Sequence, residues 1–145
     1  MSGVPTRTQV GIIGSGPAGL LLSQLLGLEG IDSVVLEKRS RAHVLGRVRA
    51  GVLEQATVDV LRRAQVAARL DAEGLVHDGV WIAFDGRCER IDLRLAGGAV
   101  TVYGQTEITR DLVAAREAAG AALLYEAEEV AIDGVDGDAP VLRYR

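Results

Sequence analysis

A single cysteine, Cys88, leaves the chain without an internal disulfide or a cysteine-rich metal site, a usage that fits a reducing compartment. Cys88 reads as a strand residue. Only 3 prolines among 145 residues, with 48% hydrophobic and 25% charged residues, exclude a disordered or fibrous protein and describe a globular one. Charge of one sign is also missing as a block. The 16 basic and 20 acidic residues are dispersed and sum to −4, so nucleic acid is not the expected partner. One uncharged stretch, Val10 to Leu28, approaches membrane-spanning length, but Gly14, Gly16, Pro17 and Gly19 interrupt it. No membrane association is expected, no signal-peptide layout precedes the stretch, and a cytoplasmic location is the expectation.

What is present is a clear alternation of short β-branched runs with helical patterns. Thr8 to Ile13 reads as a buried parallel strand, Pro17 to Leu28 as a helix with proline in its first turn and Gly30 at its end, and Ser33 to Glu37 as a second strand. From Val52, the residues Leu53, Ala56, Val60, Ala64 and Ala67 recur at helical spacing and predict one amphipathic helix. The period then shortens to near 2. Val80 to Phe84, Ile91 to Leu93 and Val100 to Tyr103 predict three antiparallel strands, set off by Asp85-Gly86 and Gly97-Gly98. Thr106 as N-cap and Gly120 as C-cap bracket a third helix carrying Ile108, Leu112, Ala115 and Ala119. Ala122 to Glu126, Val130 to Ile132 and Val141 to Tyr144 read as further strands.

Chemistry enters with the loop Gly14-Ser15-Gly16-Pro17-Ala18-Gly19 between the first strand and the first helix. In a GxGxxG loop the first glycine turns the chain out of the strand, the second clears space for a phosphate, and the third lets helix and strand pack closely. A pyrophosphate there meets backbone N–H groups at the positive end of a helix. Glu37, eighteen residues past Gly19 at the end of the second strand, can accept hydrogen bonds from ribose hydroxyls and would repel a 2′-phosphate. Both FAD and NAD carry that free ribose, so the unit leaves the two open. A glycine-rich turn that only permits close packing would explain the glycines without the acid.

Several longer strings are similar to those of FAD-dependent aromatic hydroxylases. VGIIGSGPAGLLL (Val10 to Leu22) and Val35 to Arg39 resemble the start of that family. VLGRVRAGVLEQ (Val44 to Gln55), GLVHDGVWIAFDG (Gly74 to Gly86) and VYGQTEITRDL (Val102 to Leu112) extend the likeness over nearly the whole chain. The resemblance implies a flavoprotein that is reduced by NADPH and transfers one oxygen atom of O2 to the ring carbon beside the phenol of a small aromatic acid. It implies a fold of α/β class, a Rossmann-like FAD/NAD(P)-binding domain, with an antiparallel segment at about 76–104 that belongs to or faces a substrate domain. Through it, Gly14, Gly16, Ala18, Gly19, Glu37, Lys38, Arg47, Val48, Arg49, Ala50, Gly51, Val52 and Gln105 are the expected cofactor-binding residues. Arg47 and Arg49 alternate with Val48, and in an extended segment both would point to one side and could pair with a pyrophosphate. As isolated residues they read equally as solvated arginines. The segment Lys38-Arg39-Ser40-Arg41-Ala42-His43 contributes in the family to the choice of NADPH, and three of its cations could grip a 2′-phosphate. It departs from the family pattern in having Lys38 first and His43 in place of a tyrosine. His77 matches a histidine that ends a proton relay to solvent, a task suited to a side chain that titrates near neutrality; without the match it reads as a loop histidine before a strand.

Asp78-Gly79, Asp85-Gly86 and Asp136-Gly137 are turn dipeptides, distinct from the family's later Asp-Gly cofactor motif. That motif and the substrate-binding residues are expected beyond residue 145. The chain thus reads as the N-terminal part of an FAD-binding domain, incomplete at its C-terminus, inactive alone, with no metal site, and belonging to a full-length homodimer. Two alternatives stay open: another flavin-dependent phenolic-acid hydroxylase, and a stand-alone, non-catalytic nucleotide-binding module.

Overall fold

A computed structural model describes residues 6–145. The chain divides into two compact units, one formed by residues up to Arg47 together with Thr109–Arg145, the other by Val48–Ile108.

The first unit is built on a parallel sheet. Strands β1 (Val10–Ile13), β2 (Ser33–Glu37) and β8 (Ala122–Tyr125) lie in the order β1-β2-β8, with Ile13 beside Leu36 and Glu37 beside Tyr125. As the central strand, β2 is covered on both faces, which explains its unbroken apolar run rather than an alternating one. Val34 and Leu36 pack with Ala127, Val130 and Leu142 from the chain after β8, where β9 (Ala131–Asp133) and β10 (Val141–Arg143) form an antiparallel pair. Helix α1 (Pro17–Leu28) buries Leu20, Ser23 and Gln24 and packs on β2. Ser23 and Ser33 join their hydroxyls at 2.9 Å. A short α2 (Arg41–Gly46) follows β2, capped by Ser40, whose hydroxyl accepts from the His43 N–H. The uncharged stretch from Val10 is thus a strand and a 12-residue helix, and among the described residues no helix is long and apolar enough to cross a membrane.

The second unit is antiparallel. Strands β3 (Val52–Glu54), β7 (Val100–Val102) and β4 (Leu75–His77) form one sheet with β7 in the middle, and β5 (Gly79–Phe84) with β6 (Arg87–Asp92) forms a hairpin that carries Cys88. A 3-10 turn, Leu93–Ala96, follows the hairpin.

Two expectations change here. The single helix predicted from Val52 is a strand followed by two helices, α3 (Gln55–Arg63) and α4 (Ala68–Glu73). Leu53 is buried as the inward residue of β3, opposite Thr101. The helix ends near Ala64 because Gln65 takes φ +59, which no α-helix accommodates, and the buried face is made by Val58 and Leu61 rather than Ala56 and Val60. The three strands expected in one antiparallel set are also redistributed: β7 pairs with β3 and β4, not with the hairpin. Helix α5 (Gln105–Ala118) begins one residue before the expected cap, Thr106, and Gly120 at φ +70 lies just past its end.

Candidate functional site

The glycine loop leaves β1 through Gly14, whose φ of +103 is open to glycine alone. Its N–H still belongs to the sheet, donating to the Leu36 carbonyl at 2.7 Å. A Cβ on Gly16 would meet nothing within 4 Å, so the missing side chain leaves open space above the start of α1. On Gly19, a Cβ would lie 2.1 Å from the Gly14 carbonyl oxygen and 3.1 Å from Ile12 Cγ2. Gly14 thus turns the chain out of the strand, Gly16 leaves open space, and Gly19 lets helix and strand pack closely. Ala18 and Gly19 stand in the first turn of α1, where backbone N–H groups lack an intrahelical acceptor.

Glu37 closes the other side. Its Oε2 accepts from the Ser15 N–H at 2.9 Å and the Ser15 hydroxyl at 3.2 Å, and its Oε1 accepts from the Arg39 N–H at 2.8 Å. Burial pushes the carboxyl up, but these bonds, led by the Ser15 N–H, and the nearby Lys38 charge outweigh it and hold Glu37 below the usual glutamate value. The carboxylate is therefore ionised, an acceptor only. A cleft of about 740 Å³ opens between loop and acid, lined by Gly14, Gly16, Glu37, Lys38, His43 and Arg47, with Arg39 and Gly46 completing it.

Of the expected site residues, Gly14, Gly16, Glu37, Lys38 and Arg47 come together around this cleft. Val48, Arg49, Ala50, Gly51, Val52, His77 and Gln105 belong to the second unit. There Gly51 has a packing role: a Cβ would lie 2.4 Å from the Tyr103 carbonyl oxygen, and the Gly51 carbonyl accepts from the Tyr103 N–H at 2.8 Å. Val52 pairs with Val102 at the start of β3, Gln105 opens α5, and His77 ends β4, exposed and opposite Val100. The cationic segment is also redistributed. Arg41 is held by Glu117 through two hydrogen bonds of 2.7 and 2.9 Å, leaving Lys38, Arg39 and His43 at the cleft.

Sequence reasoning passed over Ser15, the residue that ties loop to acid. The parallel register of Ile13 with Leu36 brings the loop after β1 to the end of β2, and there the Ser15 hydroxyl has a carboxylate in reach. Tyr125, beside Glu37 in the sheet, was also missed. Its hydroxyl is buried and without a partner among the described residues, and burial pushes it up.

A parallel βαβ unit, a glycine loop with space for a phosphate and an ionised acid at the end of the second strand define a dinucleotide-binding α/β domain. The family model described as "FAD binding domain" matches residues 7–145, and the chain belongs to that family. FAD is thereby the dinucleotide of this fold. The residues present fit its adenosine diphosphate half: open space at Gly16 and helix N–H groups for the phosphates, and Glu37 for the ribose.

The chain is similar to p-hydroxybenzoate hydroxylase of Acinetobacter baylyi, 52% identical over 128 residues that cover 87% of this chain. It spans about a third, 32%, of that relative's length. Among solved structures, PqsL of Pseudomonas aeruginosa superposes with a TM-score of 0.83 at 22% identity, over 95% of this chain and 39% of that one. The p-nitrophenol 4-monooxygenase PnpA of Pseudomonas putida gives 0.72 at 18%, over 92% and 34%. At these identities the two structures speak for the fold alone.

Proposed function

We propose that this chain forms the adenosine diphosphate side of the FAD site in a flavin-dependent hydroxylase that converts 4-hydroxybenzoate to 3,4-dihydroxybenzoate with NADPH and O2. The likeness to p-hydroxybenzoate hydroxylase over 87% of the chain carries the substrate and reaction. The cleft between Gly16 and Glu37 supports the cofactor placement. Bound FAD supplies the redox chemistry with O2. The chain's own residues bind and orient: Ala18 and Gly19 donate N–H groups to phosphate, Glu37 accepts from the ribose, and Arg47 and Arg49 neutralise the pyrophosphate. Val48, Ala50, Gly51, Val52 and Gln105 complete the cofactor contacts in the second unit. His77, exposed on β4, passes the phenol proton to solvent.

Lys38 and Arg39 favour NADPH by pairing with its 2′-phosphate, with Arg41 engaged elsewhere. The active protein is a homodimer, and the hairpin at β5 and β6 lies toward its substrate domain. The substrate pocket is built from residues other than these 145, so the chain alone binds FAD without hydroxylating. Titrating FAD with the 145-residue chain, followed by fluorescence, should give saturable binding. A flat titration defeats the site reading, and steady 3,4-dihydroxybenzoate production from FAD, NADPH, O2 and 4-hydroxybenzoate by this chain defeats the division of labour.

A further inference from the structure

We infer that the Ser15 hydroxyl is a positioning group for FAD, acting through Glu37, whose carboxylate it holds in one orientation at the ribose site. The inference rests on reading the glycine loop and Glu37 as the FAD cradle. Ser15 is 1% exposed, so its hydroxyl is covered by the chain and does not itself reach a molecule in the cleft. Its partner is the one acid of that cleft, at 3.2 Å, and the backbone N–H of the same residue reaches the same oxygen at 2.9 Å.

A carboxylate offers about four lone-pair directions across its two oxygens. Ser15 takes two of them on Oε2, and the Arg39 N–H takes one on Oε1. The remaining direction is on Oε1, so Glu37 offers a ribose one strong, fixed acceptor rather than a pair. Without the hydroxyl, each carboxylate oxygen keeps one backbone donor, the Ser15 N–H on Oε2 and the Arg39 N–H on Oε1. The hydroxyl adds a second donor on Oε2, which narrows the tilt these two bonds allow and orders the carboxylate before the cofactor arrives.

Removing the hydroxyl should therefore weaken FAD binding only while Glu37 is there to be positioned. In the 145-residue chain, Ser15→Ala should raise the FAD Kd about five- to tenfold, in line with the loss of one typical net hydrogen bond. In a Glu37→Ala background, which leaves no acceptor to be positioned, the same substitution should change the Kd less than twofold. In the FAD-free chain, the carboxyl of Glu37, followed by 13C NMR, should titrate at higher pH in Ser15→Ala than in the parent, because a bond to the charged form is gone. Equal losses in both backgrounds would mean that Ser15 acts on the fold and overturn the inference, as would an unmoved Glu37 titration. A parent chain that binds FAD while Ser15→Ala binds it equally well overturns this inference alone. A parent chain that does not bind FAD overturns the site reading, and this inference with it.

Discussion

Arg41, the first residue of α2, and Glu117, near the end of α5, face each other through two parallel hydrogen bonds of 2.7 and 2.9 Å. A guanidinium matched to both oxygens of a carboxylate is geometrically committed. Of the three cations that the sequence offers to a 2′-phosphate, this one is engaged with the protein itself. In the proposed full-length hydroxylase, Arg41→Ala should leave the ratio of kcat/KM for NADPH to that for NADH within twofold. Lys38→Ala should lower the ratio by about tenfold, the worth of roughly one phosphate contact. Steady-state kinetics with both nucleotides decides, and an equal fall in the two variants would return Arg41 to the phosphate.

Gly16 and Gly19 separate binding from folding. The Cβ of Gly16→Ala enters open space, and its φ of −70 suits any residue, so unfolding in urea should shift by no more than about 0.5 kcal/mol. The new methyl occupies the proposed place of a phosphate, and FAD affinity should fall at least about tenfold. Gly19→Ala instead drives a carbon against the Gly14 carbonyl, backbone on backbone, and should cost about 3 kcal/mol of stability. A Gly16→Ala chain that binds FAD normally would remove the phosphate from this position.

The contrast also shows what was legible in the sequence. The βαβ unit could be read because three constraints coincide there: a period switch from strand to helix, glycines at positions with backbone reasons, and an acid at the end of the second strand. Helix α1 was expected over Pro17 to Leu28 and is found there. Between Val52 and Ala67 the local period was helical, but pairing of Leu53 with Thr101, a contact distant in sequence, made the first three residues a strand. Gln65 carries no signal for its left-handed backbone, so the helix break was invisible. Ser15 and Arg41 lay in view but depend on partners, Glu37 and Glu117, that only the fold supplies.

Glu37 also makes stability depend on pH. Its folded value lies below the ordinary 4.5 of a glutamate, so its contribution is complete above that value and is lost as pH falls through the folded one. Urea midpoints of the parent and of Glu37→Gln should therefore differ at pH 7 and converge as the pH is lowered past 4.5. A gap that stays constant down to about pH 3 would mean that the carboxylate is not stabilised by its three donors, since a group of unshifted pKa contributes no pH dependence.

Arg116 on α5 is buried to 7% exposure, and its Nε donates to the Ser23 hydroxyl at 3.1 Å, which in turn meets Ser33 at 2.9 Å. Burial pulls its pKa down, yet a guanidinium stays charged under any condition in which the protein folds. The guanidinium also lies over Gly27, where a Cβ would sit 2.2 Å from Nη1, so α1 has no side chain at the point where the cation crosses it. Ser23→Ala strips the acceptor from a buried cation and should cost about 1–3 kcal/mol, measured by urea unfolding. Arg116→Met removes the need for that acceptor while keeping most of the side chain's volume. Replacing both partners by apolar groups can be nearly neutral, so Ser23→Ala should cost less than about 1 kcal/mol in the Arg116→Met background. An undiminished cost there would assign the role of Ser23 to its bond with Ser33, and the serine pair, rather than the arginine, would be what fastens α1 to the central strand.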